Sequence, residues 1–256
     1  MQPEVSVPRG IPQTRVGMLT PSSNTVLEPA TNVLLEPIAE QVSAHFARFR
    51  VTRIALDDGA DNQFECEPIL AAADLLADAY PSVIAWNGTA ASWRGFETDD
   101  ALCAAIKART GITATSAIVS LNALLEQFAA QRIGLVTPYT ADVERRIVAN
   151  YGELGIETVA ARRGDTADNF AFAGFTPSVV AEMCAEVAAA RPDVIVILCT
   201  NMRGPLIGAE VEARFDIPVL DSVSVTLWGA LRAAGVDSAP LTRFGRLFAR
   251  TGIPPS

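Results

Sequence analysis

Short runs of β-branched and other apolar residues alternate along the chain with alanine-rich segments whose apolar positions recur at helical spacing. The runs Arg15–Leu19, His45–Arg53, Val83–Trp86, Ile112–Thr115, Ile133–Val136, Glu157–Ala161, Val194–Leu198 and Val219–Leu220 predict strands. The segments Pro68–Ala79, Thr98–Thr110, Ile118–Ala130, Ala141–Tyr151, Pro177–Ala190 and Val223–Ala234 predict helices. Strand–helix alternation with short connections implies an α/β fold of parallel sheets covered on both faces. Runs without clean polar alternation suit strands buried on both sides. No low-complexity segment or evident linker interrupts the pattern.

The pattern repeats. Arg15-Val16-Gly17-Met18-Leu19-Thr20-Pro21 recurs as Arg132-Ile133-Gly134-Leu135-Val136-Thr137-Pro138, and Pro81-Ser82-Val83-Ile84 recurs as Pro192-Asp193-Val194-Ile195. A fainter pair is Gly111-Ile112-Thr113 against Asp216-Ile217-Pro218. Two similar halves predict two similar domains facing one cleft, with Gly88 and Cys199 ending equivalent strands on opposite walls. The expected division is residues 1–116 plus 222–256 for the first domain, with a C-terminal crossover, and 117–221 for the second. The helix that ends each half is expected to pack on the other.

With 256 residues, half of them hydrophobic, the chain can bury two cores. A formal charge of −9 argues against a nucleic-acid partner, which needs a basic face. It leaves room for an anionic ligand in a locally donor-rich pocket. The stretch Met1–Thr14 lacks an apolar core and does not read as a signal peptide. The longest apolar run, Val194–Cys199, is far below a membrane span. Four cysteines without metal or CxxC spacing suit reduced thiols, so the expected location is the cytoplasm. A homo-oligomer is compatible with these readings.

In parallel α/β sheets ligands bind beyond the carboxyl ends of the strands. Four loops fall at that edge: Pro21-Ser22-Ser23-Asn24, Asn87-Gly88-Thr89-Ala90, Thr137-Pro138-Tyr139-Thr140 and Cys199-Thr200-Asn201-Met202-Arg203. All carry small hydroxyl residues and backbone N–H groups, which favour a small carboxylate. Cys199 stands where a strand is expected to hand over to a helix, a position that lowers a thiol pKa and makes it a thiolate or a poised acid. Against this stands its use as a small buried hydrophobe, the better reading for Cys103 and Cys184 inside helices. Cys66, flanked by carboxylates, reads as inert. Asn24, Thr89, Tyr139 and Asn169 are polar candidates around an anion, although turn and cap chemistry accounts for such residues too. His45, the single histidine, sits in a strand and forms no convincing serine–histidine–acid set. Trp86 and Trp93 flank the Gly88 loop, as walls of an apolar pocket or as core cover. Asp165 and Asp168 match no trusted metal spacing, and no phosphate-binding glycine motif follows the first strand, so neither metal nor nucleotide cofactor is expected.

Taken together, Thr20-Pro21-Ser22-Ser23-Asn24-Thr25, Gly88-Thr89, Thr137-Pro138-Tyr139, Asp168-Asn169 and Cys199-Thr200-Asn201 resemble the aspartate/glutamate racemase superfamily. The branch is that of maleate cis–trans isomerases and arylmalonate decarboxylases. The resemblance implies two pseudo-symmetric Rossmann-like domains, each a parallel sheet flanked by helices, with a cofactor-free active site in the cleft between them. Two-cysteine members place one thiol in each half; here the second is Cys199 and the first falls on Gly88, as in the decarboxylases. The Pro-Ser-Ser-Asn loop with Asn24, Tyr139 and Asn169 is more similar to the isomerases. Ala90 stands where the decarboxylases carry a further hydroxyl.

Two-base racemisation needs a proton donor on each face of the carbon, and Gly88 supplies none. One thiol suits a one-sided step: decarboxylation of a malonate-type diacid to an enolate that Cys199 protonates. Thr89, Tyr139 and the N–H groups of Ala90 and Thr200 are expected to hold the remaining carboxylate, each oriented donor worth about 3 kcal/mol. Gly88 and Asn201 complete the substrate-binding set, with Asn24 and Asn169 orienting the substrate. The alternatives are an isomerase with Cys199 as nucleophile and, more distantly, a small-carboxylate binding protein. A cysteine introduced at Gly88 is expected to restore the second thiol.

Overall fold

The computed structural model describes residues 14–56, 59 and 62–250. Apart from Thr14, the N-terminal stretch read for a signal peptide lies outside the described residues, as does the chain beyond residue 250. All eight expected strands form. β1 (Thr14–Pro21), β2 (Val42–Phe49), β3 (Val83–Trp86) and β4 (Ala114–Ser116) make one parallel sheet in the order β2-β1-β3-β4. β5 (Arg132–Thr137), β6 (Glu157–Arg163), β7 (Val194–Ile197) and β8 (Val219–Asp221) make a second in the same order, β6-β5-β7-β8. Every residue of β3 and β7 is buried, which explains their unbroken apolar runs.

The repeated glycine has a packing cause. Gly17 pairs with Ile84 and Gly134 with Ile195, at equivalent places in the two sheets. A Cβ on Gly134 would lie 3.0 Å from Val187 and 3.1 Å from Pro192; on Gly17 it would lie 3.3 Å from Leu76 and 3.4 Å from Pro81. The helix that covers each sheet comes close to its central strand here, most tightly at Gly134, where a larger residue would need its neighbours to shift.

Among the described residues the helices are α1 (Leu27–Leu35), α2 (Cys66–Ala77), α3 (Ala91–Arg94), α4 (Glu97–Thr110), α5 (Ala117–Gln127), α6 (Ala141–Glu153), α7 (Pro177–Ala188), α8 (Gly208–Phe215) and α9 (Ser222–Ala233). Several starts are written in the sequence. Ser116 caps α5 by accepting from the Val119 N–H, Thr176 with Pro177 caps α7, and the Asp221 carboxylate caps α9. The pattern missed α1, α3 and α8. α1 carries Pro29, Thr31 and Asn32 in its nine residues, α3 is a single turn, and α8 is short and half polar.

The expected strand His45–Arg53 is shifted: β2 runs Val42–Phe49, and the chain then leaves the sheet. Residues 51–54 cross to the second half, where Asn169 N–H donates to Thr52 O, Ile54 N–H donates to Ala167 O, and Arg53 bridges to Asp168. Val51 and Ile54 are therefore buried, but not as strand residues. α9 follows β8 of the second sheet yet packs on β3 and β4 of the first, with α5 alongside it. Ten of its residues are buried, from Ser222 to Leu231 without a break. No helix among the described residues is long and apolar enough to cross a membrane.

Candidate active site

The two sheets present the carboxyl ends of their central strands to each other. The shared register makes Trp86 equivalent to Ile197, and hence Gly88 to Cys199 and Thr89 to Thr200. Between these ends lies a cavity of about 20 Å³. Gly88, Thr89, Ala90, Tyr139, Asn169, Cys199 and Thr200, all expected from sequence, line it. Val51, Ile54, Phe64, Trp86 and Trp93 supply its apolar wall, and among the described residues no charged side chain lines it.

One hydrogen-bonded chain runs through the cleft. The Thr89 and Tyr139 hydroxyls are 2.7 Å apart, and the Tyr139 hydroxyl lies beside Cys199, whose thiolate it is placed to stabilise. Cys199 Sγ accepts from the Asn201 N–H at 3.3 Å. Trp93 and Phe172 pack edge-on against the Tyr139 ring, with centroids at 5.2 and 5.5 Å, and so fix its hydroxyl. Among the described residues, none accepts a hydrogen bond from the N–H groups of Gly88, Thr89, Ala90, Cys199 or Thr200. Free backbone donors among the residues that line the cavity suit an anion.

The expectation of a lowered Cys199 pKa is corrected. β7 ends at Ile197 and the next helix, α8, begins only at Gly208, so Cys199 does not stand at the start of a helix. Burial, which disfavours a thiolate, pushes its pKa up to about 12 despite the donors at Asn201 and Tyr139. Cys199 is a protonated thiol at neutral pH. Burial also pushes Tyr139 well up. Cys103 and Cys184 are likewise pushed up to about 12 by burial, and exposed Cys66 is raised by burial and by Glu67.

Asn24 and Asn201 stand one layer behind the cavity, with their side chains fully engaged. Asn24 Oδ1 accepts from the N–H groups of Val26 and Leu27 at the start of α1, while its Nδ2 donates to Thr200 Oγ1 at 3.1 Å. Thr200 in turn donates to Asn87 O at 3.1 Å. Asn201 Oδ1 accepts from Thr25 N–H, and its Nδ2 donates to Asn169 O at 2.6 Å. Asn169 Nδ2 reaches Ser23 Oγ at 2.7 Å. These bonds tie the two halves together around the cleft. Sequence reasoning missed Val51, Ile54 and Phe64, whose signal is apolar character in a segment that a strand does not account for. Among the described residues no cluster of three or more histidine, cysteine or acidic side chains can hold a metal ion.

The equivalence of Gly88 and Cys199 has a further feature. A Cβ on Gly88 would lie 1.8 Å from Trp86 Cζ2 and 2.1 Å from Cε2. The Trp86 indole thus fills the space beside Gly88 where a side chain would stand. The ring is buried and packs on Phe49 with centroids 5.0 Å apart. A cysteine at Gly88, expected to restore a second thiol, requires the Trp86 ring to move.

The chain is similar to known proteins over most of its length. The family model for arylmalonate decarboxylase matches residues 25–248. Arylmalonate decarboxylase of Bordetella bronchiseptica is 28% identical over 170 residues, covering 65% of this chain and 71% of that protein. Maleate isomerase of Geobacillus stearothermophilus is 23% identical over 239 residues, 88% of this chain and 93% of that one. Among solved structures, Nocardia farcinica maleate cis-trans isomerase with a covalently bound succinylcysteine intermediate shares the fold. Its TM-score is 0.84 at 22% identity, covering 93% of this chain and 99% of that one. Cleft, register and family model agree: the chain belongs to the arylmalonate decarboxylase family.

Proposed function

We propose that the protein is a cofactor-independent decarboxylase of a substituted malonate, with Cys199 as the proton donor. The observation that carries this reading is a buried, protonated thiol facing a wall at Gly88 that has no side chain. The substrate's retained carboxylate sits against the free N–H groups of Thr89, Ala90 and Thr200 and the hydroxyls of Thr89 and Tyr139. Asn24 steadies Thr200, and Asn169 orients the substrate. The second carboxylate lies against the apolar wall of Val51 and Ile54, where desolvation disfavours its charge.

The C–C bond to that carboxylate breaks and carbon dioxide leaves, with the bonding pair passing into an enolate held by the donors. The enolate carbon takes the proton from Cys199 Sγ. The thiolate left behind is received by the Asn201 N–H and the Tyr139 hydroxyl, and solvent returns one proton. A thiol with a high pKa is suited to this step, since it stays loaded at neutral pH and yields its proton only to a strong carbon base.

The second reading is a maleate isomerase-like enzyme, favoured by Asn24, Tyr139 and Asn169 and by the maleate isomerases among the relatives. It requires Cys199 as a nucleophile, which the raised pKa opposes. Proton NMR in deuterated water separates the two, with a disubstituted malonate in one tube and maleate in the other. Loss of the malonate with one deuterium at the α carbon supports decarboxylation. A fumarate signal with the malonate untouched overturns it.

A further inference from the structure

The helices that follow the last strand of each sheet begin differently. The shared register makes Ser116, at the end of β4, equivalent to Asp221, at the end of β8. Both cap the next helix, Ser116 through its hydroxyl and Asp221 through Oδ1, which accepts from the Val223 and Ser224 N–H groups. A serine meets that need in the first half. The half that carries the Cys199 thiol has a group that can ionise in its place.

The Asp221 carboxyl stands directly behind the loop that bears the thiol. It is buried, and among the described residues its Oδ2 has no hydrogen-bond partner. That oxygen faces Gly204, where a Cβ would collide with it. Gly204 belongs to the segment 199–207 between β7 and α8. Next in the chain, Ser222 donates to Ile197 O at 3.0 Å, just ahead of Leu198 and Cys199. A charge on Asp221 acts on two buried thiols, Cys199 and Cys184 of α7, and makes each harder to ionise. Among the described residues the other charged groups nearby are turned elsewhere. β7 carries none. On α8, Glu212 accepts from the Val219 N–H at the other end of β8, Glu210 is exposed, and Arg214 lies over Phe215. Arg246 pairs with Asp216, Arg232 of α9 lies over Trp228, and Arg203 donates to Ala173 O.

Giving up its proton turns Cys199 into a buried thiolate. A second negative charge behind the same loop repels it strongly, because a water-poor interior screens little. Burial keeps Asp221 protonated up to about pH 8, so at neutral pH the enzyme avoids that clash. We infer that Asp221 is a positioning residue for the proton donor: uncharged, it lets Cys199 pass through its thiolate, and ionised, it opposes that thiolate and slows turnover. The inference rests on the decarboxylase reading. Cys199 alone gives a proton to the enolate carbon, and Asp221 keeps its own through the cycle. Cys199, at about 12, and Tyr139, pushed well up, both stay protonated near pH 8, so a loss of rate there belongs to neither.

Turnover of 2-methyl-2-phenylmalonate, whose carboxyls stay ionised throughout, is measured from pH 6.5 to pH 10 in the parent, Asp221→Asn and Asp221→Ser. Asparagine keeps the acceptor that caps α9, and serine copies the cap of the first half. Within each protein kcat at pH 6.5 is divided by kcat at pH 9.5. Asp99, raised to about 7 by burial, is present in all three proteins, so any step of its own divides out. The expected quotient is about five-fold or more larger in the parent than in either variant, with the parent's extra step centred near pH 8. A cap that serves the fold alone lowers kcat alike at every pH. Equal quotients in the three proteins, or a parent without a step near pH 8, would overturn the inference and leave the decarboxylase reading standing. A parent that consumes no malonate at any pH removes both.

Discussion

Replacing Gly88 by cysteine puts the packing of Trp86 to a direct test. The new Cβ would meet Cζ2, Cε2 and Cη2 of the indole at 1.8, 2.1 and 2.5 Å, well inside van der Waals contact. The ring cannot yield freely, since it is only 2% exposed and lies against Phe49. Overpacking of this kind costs about 1–3 kcal/mol. For a chain of this size that lowers Tm by about 2–4 °C per kcal/mol. Trp86→Ala alone opens a void and costs about 3–5 kcal/mol. In the double variant each change relieves the other, so its loss falls short of the summed single losses by about 1–3 kcal/mol. Urea melts of the parent, the two single variants and the double variant give the coupling. Deuterium uptake at the α carbon of 2-phenylpropionate reports the chemistry, with exchange expected only where Trp86 has been removed. Additive losses, or a Gly88→Cys protein with parental stability and rapid exchange, would refute the claim that the indole occupies the missing side chain's place.

Tyr139→Phe removes one of two donors to the Cys199 sulfur; a hydrogen bond to a charged group is worth about 1.5–3 kcal/mol, so kcat on a malonate should fall about 10- to 100-fold. An unchanged kcat would mean that no thiolate develops there. Cys199→Ala should abolish turnover with the far-UV circular dichroism spectrum unchanged, and retained decarboxylation would exclude the thiol as the acid. Burial raises Asp221 to about 8 from an ordinary value of 3.8. The folded state therefore holds a proton that the unfolded chain has released, and this stabilisation, complete below about pH 4, is lost as pH rises through 8. Asp221→Asn keeps the Oδ1 acceptor that caps α9, so its Tm should fall less than the parent's between pH 5 and pH 9. Parallel Tm curves for the two proteins would show that Asp221 enters the fold ionised.

The sheets were legible because their strands are buried on both faces, and burial alone writes Val-Ile-Val-Ile at β7 and Val-Ile-Ala-Trp at β3. The Gly17/Gly134 repeat was legible for a related reason, since close helix packing leaves little room for a side chain at both places. The loops at the strand ends followed from topology, and seven of the nine expected site residues line one cavity. Asn24 and Asn201 look the same in sequence as Asn169. Only the fold reveals that their amides serve the start of α1 and the contact between the halves. The pKa of Cys199 escaped because it depends on desolvation and on ten residues of irregular chain before α8, neither of which a strand-end position discloses. Val51 fell within the expected strand because an apolar segment held between the two halves has a strand's composition, and Ile54 lies just beyond that strand.

The path of α9 constrains how the molecule is made. The ribosome releases the strands of the first sheet early, but the helix that covers β3 and β4 leaves it only after all four strands of the second sheet. Until residues 222–233 emerge, β3 and β4 lack the helix that packs on them, and their apolar side chains are open to wrong partners. The second sheet can close first, from β5 to β8, and the N-terminal half completes itself only after the C-terminal one. A nascent chain stalled before residue 222 would thus be a substrate for chaperones rather than half an enzyme.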